Sequence, residues 1–290
     1  MTNQNKAYVY AGLAIFFWST IASVIKITLR HLDFVQLVFI ASWTSFVALF
    51  ITAFLQKKIK STFHVPVNAY LRSALFGLLN PFFYYLVLFK AYSLLPAQVA
   101  QPLNMIWPIV LVFLSVPFLR QKIAPKSFLA LLISFIGVYF ISSQGKLLDM
   151  KIYEPFGVIL ATGSSVIWSF YWIYNVRDQR DDVSKLVLNF LFAGFFITVL
   201  VLFISDFQIK SNTGLWLGVY TGLFEMGLTF LFWLKAMQLT STTDRISNLV
   251  YLAPFFSLVV IHIFVGETIY WTTIIGIVLI VSGIIVEKIR

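Results

Sequence analysis

The sequence predicts an all-α membrane protein, and three observations predict it. Hydrophobic residues make up 60% of the chain and charged ones only 11%, far below the roughly 25% that clothes a soluble domain. Apolar runs of about 20 residues, the length that crosses a hydrocarbon core about 30 Å thick, follow one another with short polar joints. Lysine and arginine gather at the ends of those runs. At about 30 residues for a helix and its connection, the chain holds roughly ten transmembrane helices.

The spans read in order as 8–29, 34–55, 70–92, 97–118, 126–143, 155–175, 185–205, 213–238, 244–264 and 271–287. Ala7–Leu29 is too long for the apolar core of a cleavable leader, and no small-residue cleavage site follows it. It therefore reads as the first span. With the N-terminus in the cytoplasm, Lys57, Lys58, Lys60, Arg72, Arg120, Lys122, Lys126, Arg177, Arg180 and Lys185 fall on the inner side, whereas Arg30, Lys146, Lys151 and Lys210 fall outside. That asymmetry places both termini in the cytoplasm. It also accounts for the formal charge of +10 without a nucleic-acid partner. Cysteine is absent, and His31, His64 and His262 are scattered, so no disulfide, metal site or cofactor is expected. No phosphate-binding glycine loop and no His-Glu-x-x-His run is present, which argues against an enzyme. Asp178, Asp181 and Asp182 with Arg177 and Arg180 read as a solvated loop.

The chain resembles itself. Gly77–Ala91 lies over Gly222–Ala236 without a gap at an offset of 145, with Gly, Leu, Leu, Lys and Ala identical. After one inserted residue the offset is 146, pairing Pro108 with Pro254, Ile123 with Ile269 and Gly137 with Gly283. The expected halves are 1–145 and 146–290. Each holds five spans, an odd number, so the second copy enters the membrane upside down. Inverted five-helix repeats are the architecture of secondary transporters.

Glu225 is the candidate around which the others are arranged. It stands in the eighth span, and its nearest charges along the chain are Lys210 and Lys235. An ionised group at mid-membrane costs ~2.5–3.5 kcal/mol even on lenient scales. The functional reading is a titrating group or a partner for a substrate ammonium; the plain reading is a protonated structural acid. Gly218, Thr221, Gly222, Leu228 and Thr229 share its helical face and are expected to leave room beside it. The repeat sets Asn80 opposite Glu225, with Tyr84 four residues on; an interhelical hydrogen bond, worth about 0.6 kcal/mol, is the simpler role.

On the fourth span Gln101, Asn104 and Pro108 form a polar stripe ending in a helix breaker. On the ninth, Asn248 and Tyr251 precede Pro254 in the same way. The two prolines read as hinges or as plain packing kinks. On the sixth, Ser164, Trp168, Tyr171 and Asn175 share one face, suited to an apolar or cationic ligand. Packing or an interfacial belt serves as well. Ser19, Ser23 and Lys26 make a similar face on the first.

The same residues carry a family resemblance. Trp18-Ser19 and Trp168-Ser169 open the two halves, an Ala near the end of the third span precedes a Pro in the fourth, and Pro254, Gly266-Glu267, Gly276 and Gly283 close the second half. This order resembles the drug/metabolite transporter superfamily of the EamA type over nearly the whole chain. Arg120-Gln121 departs from it, standing where a Gly-Glu ending of the first repeat would fall. The resemblance implies ten helices around a central cavity lined by spans 1, 3, 4, 6, 8 and 9, in a multi-pass protein of a bacterial cytoplasmic membrane.

It further implies transport of small metabolites such as amino acids, often outward; the lone acid in the eighth span adds the expectation of a secondary active exporter working by alternating access, with Glu225 as the proton- or ammonium-responsive group. The partners expected are a small-molecule solute and the lipid bilayer; the sequence does not separate a monomer from a homodimer. A non-transporting scaffold or lipid-handling protein fits the same composition.

Overall fold

The computed structural model describes residues 2–119, 125–147, 154–175, 177–240, 249 and 252–288. Among them every regular element is a helix. In chain order these are α1 (Asn3–Thr28), α2 (Phe34–Leu55), the short α3 (Ile59–Phe63), α4 (Val67–Gly77), α5 (Tyr84–Leu94), α6 (Ala97–Asn104), α7 (Trp107–Leu119), α8 (Pro125–Ser142), α9 (Pro155–Asn175), α10 (Asp182–Ile204), α11 (Asn212–Thr221), α12 (Leu228–Leu239), α13 (Ala253–Val260) and α14 (Trp271–Lys288). Wide π turns join α4 to α5 (Leu78–Phe83) and α11 to α12 (Gly222–Gly227), and a third, Ile261–Val265, extends α13.

Among the described residues six stretches are long and apolar enough to cross a bilayer: Asn3–Thr28, Phe34–Leu55, Val67–Leu94, Pro155–Asn175, Asp182–Ile204 and Asn212–Trp233. Phe128–Ser142, Ala253–Val265 and Trp271–Val286 are shorter apolar helices. The expected span over 97–118, bent at Pro108, is instead two helices, α6 and α7, separated at Met105–Ile106. The expected helices over 70–92 and 213–238 are broken by the first two π turns. The expected ninth span lies partly outside the described residues.

The chain folds into two compact units, Met1–Phe82 with Arg180–Val265, and Phe83–Gln179 with Gly266–Arg290. Each unit draws helices from both sequence halves. In the first unit α1 packs on α11, α12 and α13, while α10 packs on α2 and α4. Small residues let these backbones approach, as expected where lipid offers no hydrophobic drive between helices. Ala7 and Ala11 of α1 meet Ala236 of α12 in a buried cluster sealed by Tyr10 and Trp233. A Cβ on Gly77 would collide with the Asn189 backbone carbonyl of α10, and one on Gly222 would lie 2.5 Å from the Ala41 carbonyl of α2.

Polar loops are tied down. Asp33 caps α2 through the N–H groups of Val35 and Gln36, and Gln36 answers by accepting from the Asp33 N–H. The expected solvated acidic loop is structured where it enters α10: Asp181 caps that helix through the Ser184 N–H and pairs with Lys58. Burial pushes the Asp181 carboxyl up, but the Lys58 and Ser184 hydrogen bonds outweigh it, so its pKa lies below the ordinary value. Arg180 donates to the Ala69 carbonyl and to Ser73.

In the second unit α8 and α14 form the longest seam. Ala130, Ser134, Gly137 and Ile141 face Gly276, Ile280 and Gly283, a spacing of three and four residues on both helices. Against α9 pack α5, α6 and α7. Helix α6 has Pro96 at its N-cap and no local side-chain acceptor. Glu267, beyond α13 in sequence, supplies one: its carboxylate accepts the N–H groups of Ala97 (2.8 Å) and Gln98 (3.2 Å). Gln98 returns the bond, donating to the Thr268 carbonyl (2.8 Å) and accepting from the Tyr270 N–H (2.9 Å). The start of α6 is thus clasped to the segment before α14.

Two outcomes follow for apparent stability in detergent. Gly77→Ala lowers the melting temperature by the equivalent of ~1–3 kcal/mol of overpacking, while Gly12→Ala, at a position open on all sides, is neutral or gains up to ~1 kcal/mol of helix propensity; equal melting of the two contradicts the backbone contact. Glu267→Ala leaves two N–H groups without their acceptor and costs about 1–2 kcal/mol, with Glu267→Gln in between. A Glu267→Ala protein as stable as wild type contradicts the clasp.

Candidate functional site

The two mid-span breaks carry the two residues that the repeat sets opposite each other. Shifted by 145, the first π turn, 78–83, falls on 223–228, one residue from the observed Gly222–Gly227. Asn80 leaves helical geometry altogether (φ −147°, ψ 119°) and precedes Pro81, which has no N–H to give. Its side chain is buried, and its Oδ1 has no hydrogen-bond partner among the described residues. Glu225 lies at the middle of the second turn and is half-buried.

A π turn leaves carbonyls poorly served, and in lipid each needs another donor. The Ser45 hydroxyl of α2 lies 2.7 Å from both the Ala41 and the Gly222 carbonyls and shares its one proton between them, and Thr229 donates to the Phe224 carbonyl (2.5 Å). Thr229 is therefore a fully buried support of the break. The expected room beside Glu225 is occupied on one side. Gly218 and Gly222 are filled by Ile40, Ala41 and Thr44 of α2, and Thr221 is buried and bonds its own Leu217 carbonyl. The glycines serve close packing.

Other first-unit candidates are placed more plainly. Ser19 is buried and donates to the Ile15 carbonyl of its own helix (2.7 Å). Beside it Trp18 lies against Trp233 and Phe230, and Phe17 stacks on Phe224 at 4.1 Å, next to Glu225 in sequence. Pro254 is the second residue of α13, and in the second unit Pro108 is the second residue of α7. Both begin a helix instead of bending its middle, because the first turn has no use for the missing N–H. Asn248 and Tyr251 lie outside the described residues.

The second unit brings several candidates together. Tyr84 donates to Asn104 Oδ1 (3.2 Å), and Asn104 Nδ2 donates to Ser164 (2.8 Å). The Trp168 ring lies 4.8 Å from that of Tyr84 and 6.1 Å from that of Tyr171. Gln101 is buried one turn before Asn104. The stripe expected to run from Gln101 through Asn104 to Pro108 stops at Asn104, because the helix ends there. Trp107 and Trp172 complete the aromatic tier, at 6.5 and 5.9 Å from Trp168. Sequence reasoning missed both, since the break before Trp107 and the crowding of rings around Trp168 are matters of packing. It also missed the Glu267 clasp, whose one local signal is a helix start lacking Ser, Thr, Asp or Asn.

Among the described residues no cluster of His, Cys, Asp and Glu could hold a metal ion. What the two units offer is a broken helix bearing one acid, and an uncharged wall of amide, hydroxyl and aromatic groups.

An uncharacterized transporter, YxxF, of Bacillus subtilis (strain 168) is 24% identical over 212 residues, covering 72% of this chain and 67% of its own. An uncharacterized transporter of Clostridium kluyveri is 24% identical over 184 residues, covering 60% of this chain and 58% of its own. A solved structure, described only as the crystal structure of a protein, superposes with a TM-score of 0.68 at 18% identity, covering 98% of this chain and 96% of that one; it is similar in fold. The EamA-like transporter family model matches twice, over residues 5–143 and 155–286. The chain belongs to the EamA-like transporter family and is an integral, multi-pass membrane protein.

Proposed function

We propose that this protein is a secondary active transporter that exports a small organic solute, an amino acid or a metabolite of similar size, by alternating access. Ten spans in two inverted repeats, with both termini in the cytoplasm, are the topology that goes with this reading. One observation carries it: the helices bearing Asn80 and Glu225 both leave α geometry, the first at a kink and the second as a π segment, within one residue of the positions that the internal duplication relates. Broken helices near the membrane midplane are where transporters expose backbone and side-chain polar groups to solute and coupling ion. A scaffold gains nothing from two such breaks.

Glu225 is the coupling group, because it is the acid of the pair and Asn80 its uncharged counterpart. Asn80, Tyr84, Gln101, Asn104, Trp168, Tyr171, Asn248 and Tyr251 are the solute contacts of this reading, Ser19 and Thr229 support the two faces, and Pro108 and Pro254 are the points about which helices tilt. Prolines at helix starts suit that role, since the preceding turn carries no ladder hydrogen bond to break.

The test is flux in proteoliposomes loaded with a mixture of labelled amino acids. Wild-type efflux changes at least tenfold across a pH series, and Glu225→Gln flattens that dependence. An unchanged pH profile in Glu225→Gln removes Glu225 from coupling.

A further inference from the structure

The segment between Phe34–Leu55 and Val67–Leu94 links two stretches able to cross a bilayer, so it lies at a membrane edge. From Lys57 to Arg72 it holds four cations and no acid. Two consecutive residues at the start of α10 tie it down. Asp181 pairs with Lys58 just past α2, and Arg180 donates to the Ala69 carbonyl and to Ser73 of α4. Thr62 of α3 and Ser184 of α10 share a hydrogen bond (2.9 Å), and Tyr70 of α4 donates to the Phe63 carbonyl of α3 (2.6 Å). The end of α2, the short α3 and the start of α4 are thus one pinned corner.

That pinning sorts the side chains. Thr62, Ala69 and Ser73 are buried on the pinned side, whereas Lys57, Lys60 and Arg72 are exposed. The acids Asp181 and Asp182 are taken by Lys58 and Lys185. Among the described residues no acid pairs with Lys57, Lys60 or Arg72.

Two of these cations stand where a cation is costly. Arg72 is the sixth residue of its apolar stretch, about 8 Å along the helix from the start. Exposed Val67, Leu71 and Leu75 accompany it. A guanidinium beside a lipid-facing stripe keeps its charge by reaching out to the headgroup layer. Lys57 is left-handed (φ 58°), where its N–H and that of Lys58 close α2 on the Phe54 and Ala53 carbonyls. Glycine takes that place without strain. A general surplus of positive charge at a span end is indifferent to backbone conformation and requires neither placement. A lysine kept in strained backbone is a mark of use.

We propose that Arg72, Lys57 and Lys60 hold the headgroup of an anionic phospholipid, with its acyl chains along the stripe of Val67, Leu71 and Leu75. The guanidinium meets the phosphate as a two-pronged donor, and the two lysines add charge on the side towards water. This lipid is a resident ligand of the first unit and not the solute. It steadies the corner from which α4 runs to the break at Asn80, and the inference stands apart from the transport reading.

The experiment places the whole chain in nanodiscs of phosphatidylcholine with a rising share of phosphatidylglycerol. It reads the melting temperature and the lipid retained in native mass spectrometry. Phosphatidylglycerol raises the melting temperature to a plateau, as a ligand of the native state must, and is retained in preference to phosphatidylcholine. Arg72→Gln and Lys60→Gln each weaken it about fivefold, the scale of one basic residue at an anionic surface. Lys210→Gln, at an exposed lysine of another loop, leaves it unchanged. Lys57→Gly weakens it likewise, yet melts no lower than the native chain in phosphatidylcholine alone. Inorganic phosphate gives no rise. A rise without a plateau, equal retention of the two lipids, or a rise with inorganic phosphate overturns the proposal on the native chain, even if a variant does not fold. So does unchanged affinity in Arg72→Gln, an equal loss in Lys210→Gln, or earlier melting of Lys57→Gly in phosphatidylcholine.

Discussion

Inside a bilayer no water is at hand to satisfy a broken backbone, and that constraint decides how this chain can be built. A helix is acceptable because it satisfies itself; an interrupted helix is acceptable only where a neighbour supplies what the break releases. Ser45 and Thr229 supply it around Glu225, donating to the Gly222 and Phe224 carbonyls. Ser45 reaches across because Gly222 has no side chain to hold α2 away. Close packing by small residues and tolerance of the break are thus one arrangement seen from two sides. The acid is held on a stretch of backbone that its surroundings have made affordable.

The same logic organises the second unit. Helix α6 begins without a cap of its own, and Glu267 and Gln98 fasten it instead. Two turns further on stands Asn104, whose amide orientation is settled by Ser164 and Tyr84. A fixed helix start and a directional chain of hydrogen bonds hold the Asn104 amide in one orientation. The aromatic tier around it contributes flat surface without charge.

Much of the architecture was legible in the sequence because lipid writes directly into composition. Apolar length marks the stretches able to cross a bilayer, and the constant offset marks the two repeats that the family model matches. Individual contacts were legible where a helix face decides them, as with Ser164 and Trp168. The breaks were not, because a π turn depends on which neighbour can serve a carbonyl. Gly218 and Gly222 read equally well as room for a ligand or as contact with a helix, and only packing distinguishes the two. The cap on α6 comes from a residue 170 positions away, beyond any local pattern. The Trp-Ser pair marks the same limit: among the described residues Ser19 bonds its own helix, whereas Ser169 also reaches the Trp107 carbonyl.

If solute passes along these groups, the π segment with Glu225 and the amide face with Asn104 meet water while the exposed apolar faces of the spans meet lipid. The chain has no cysteine, so single thiols can be read one at a time. The decisive measurement is the rate at which a charged, membrane-impermeant thiol reagent labels Asn104→Cys and Glu225→Cys in native membranes, against Ile159→Cys and Phe203→Cys on exposed apolar faces. A thiol reacts as its thiolate, which hydrocarbon suppresses and water permits. The first pair then reacts at least tenfold faster than the second; labelling of all four at one rate, or silence at 104 and 225, contradicts a wet path along these groups.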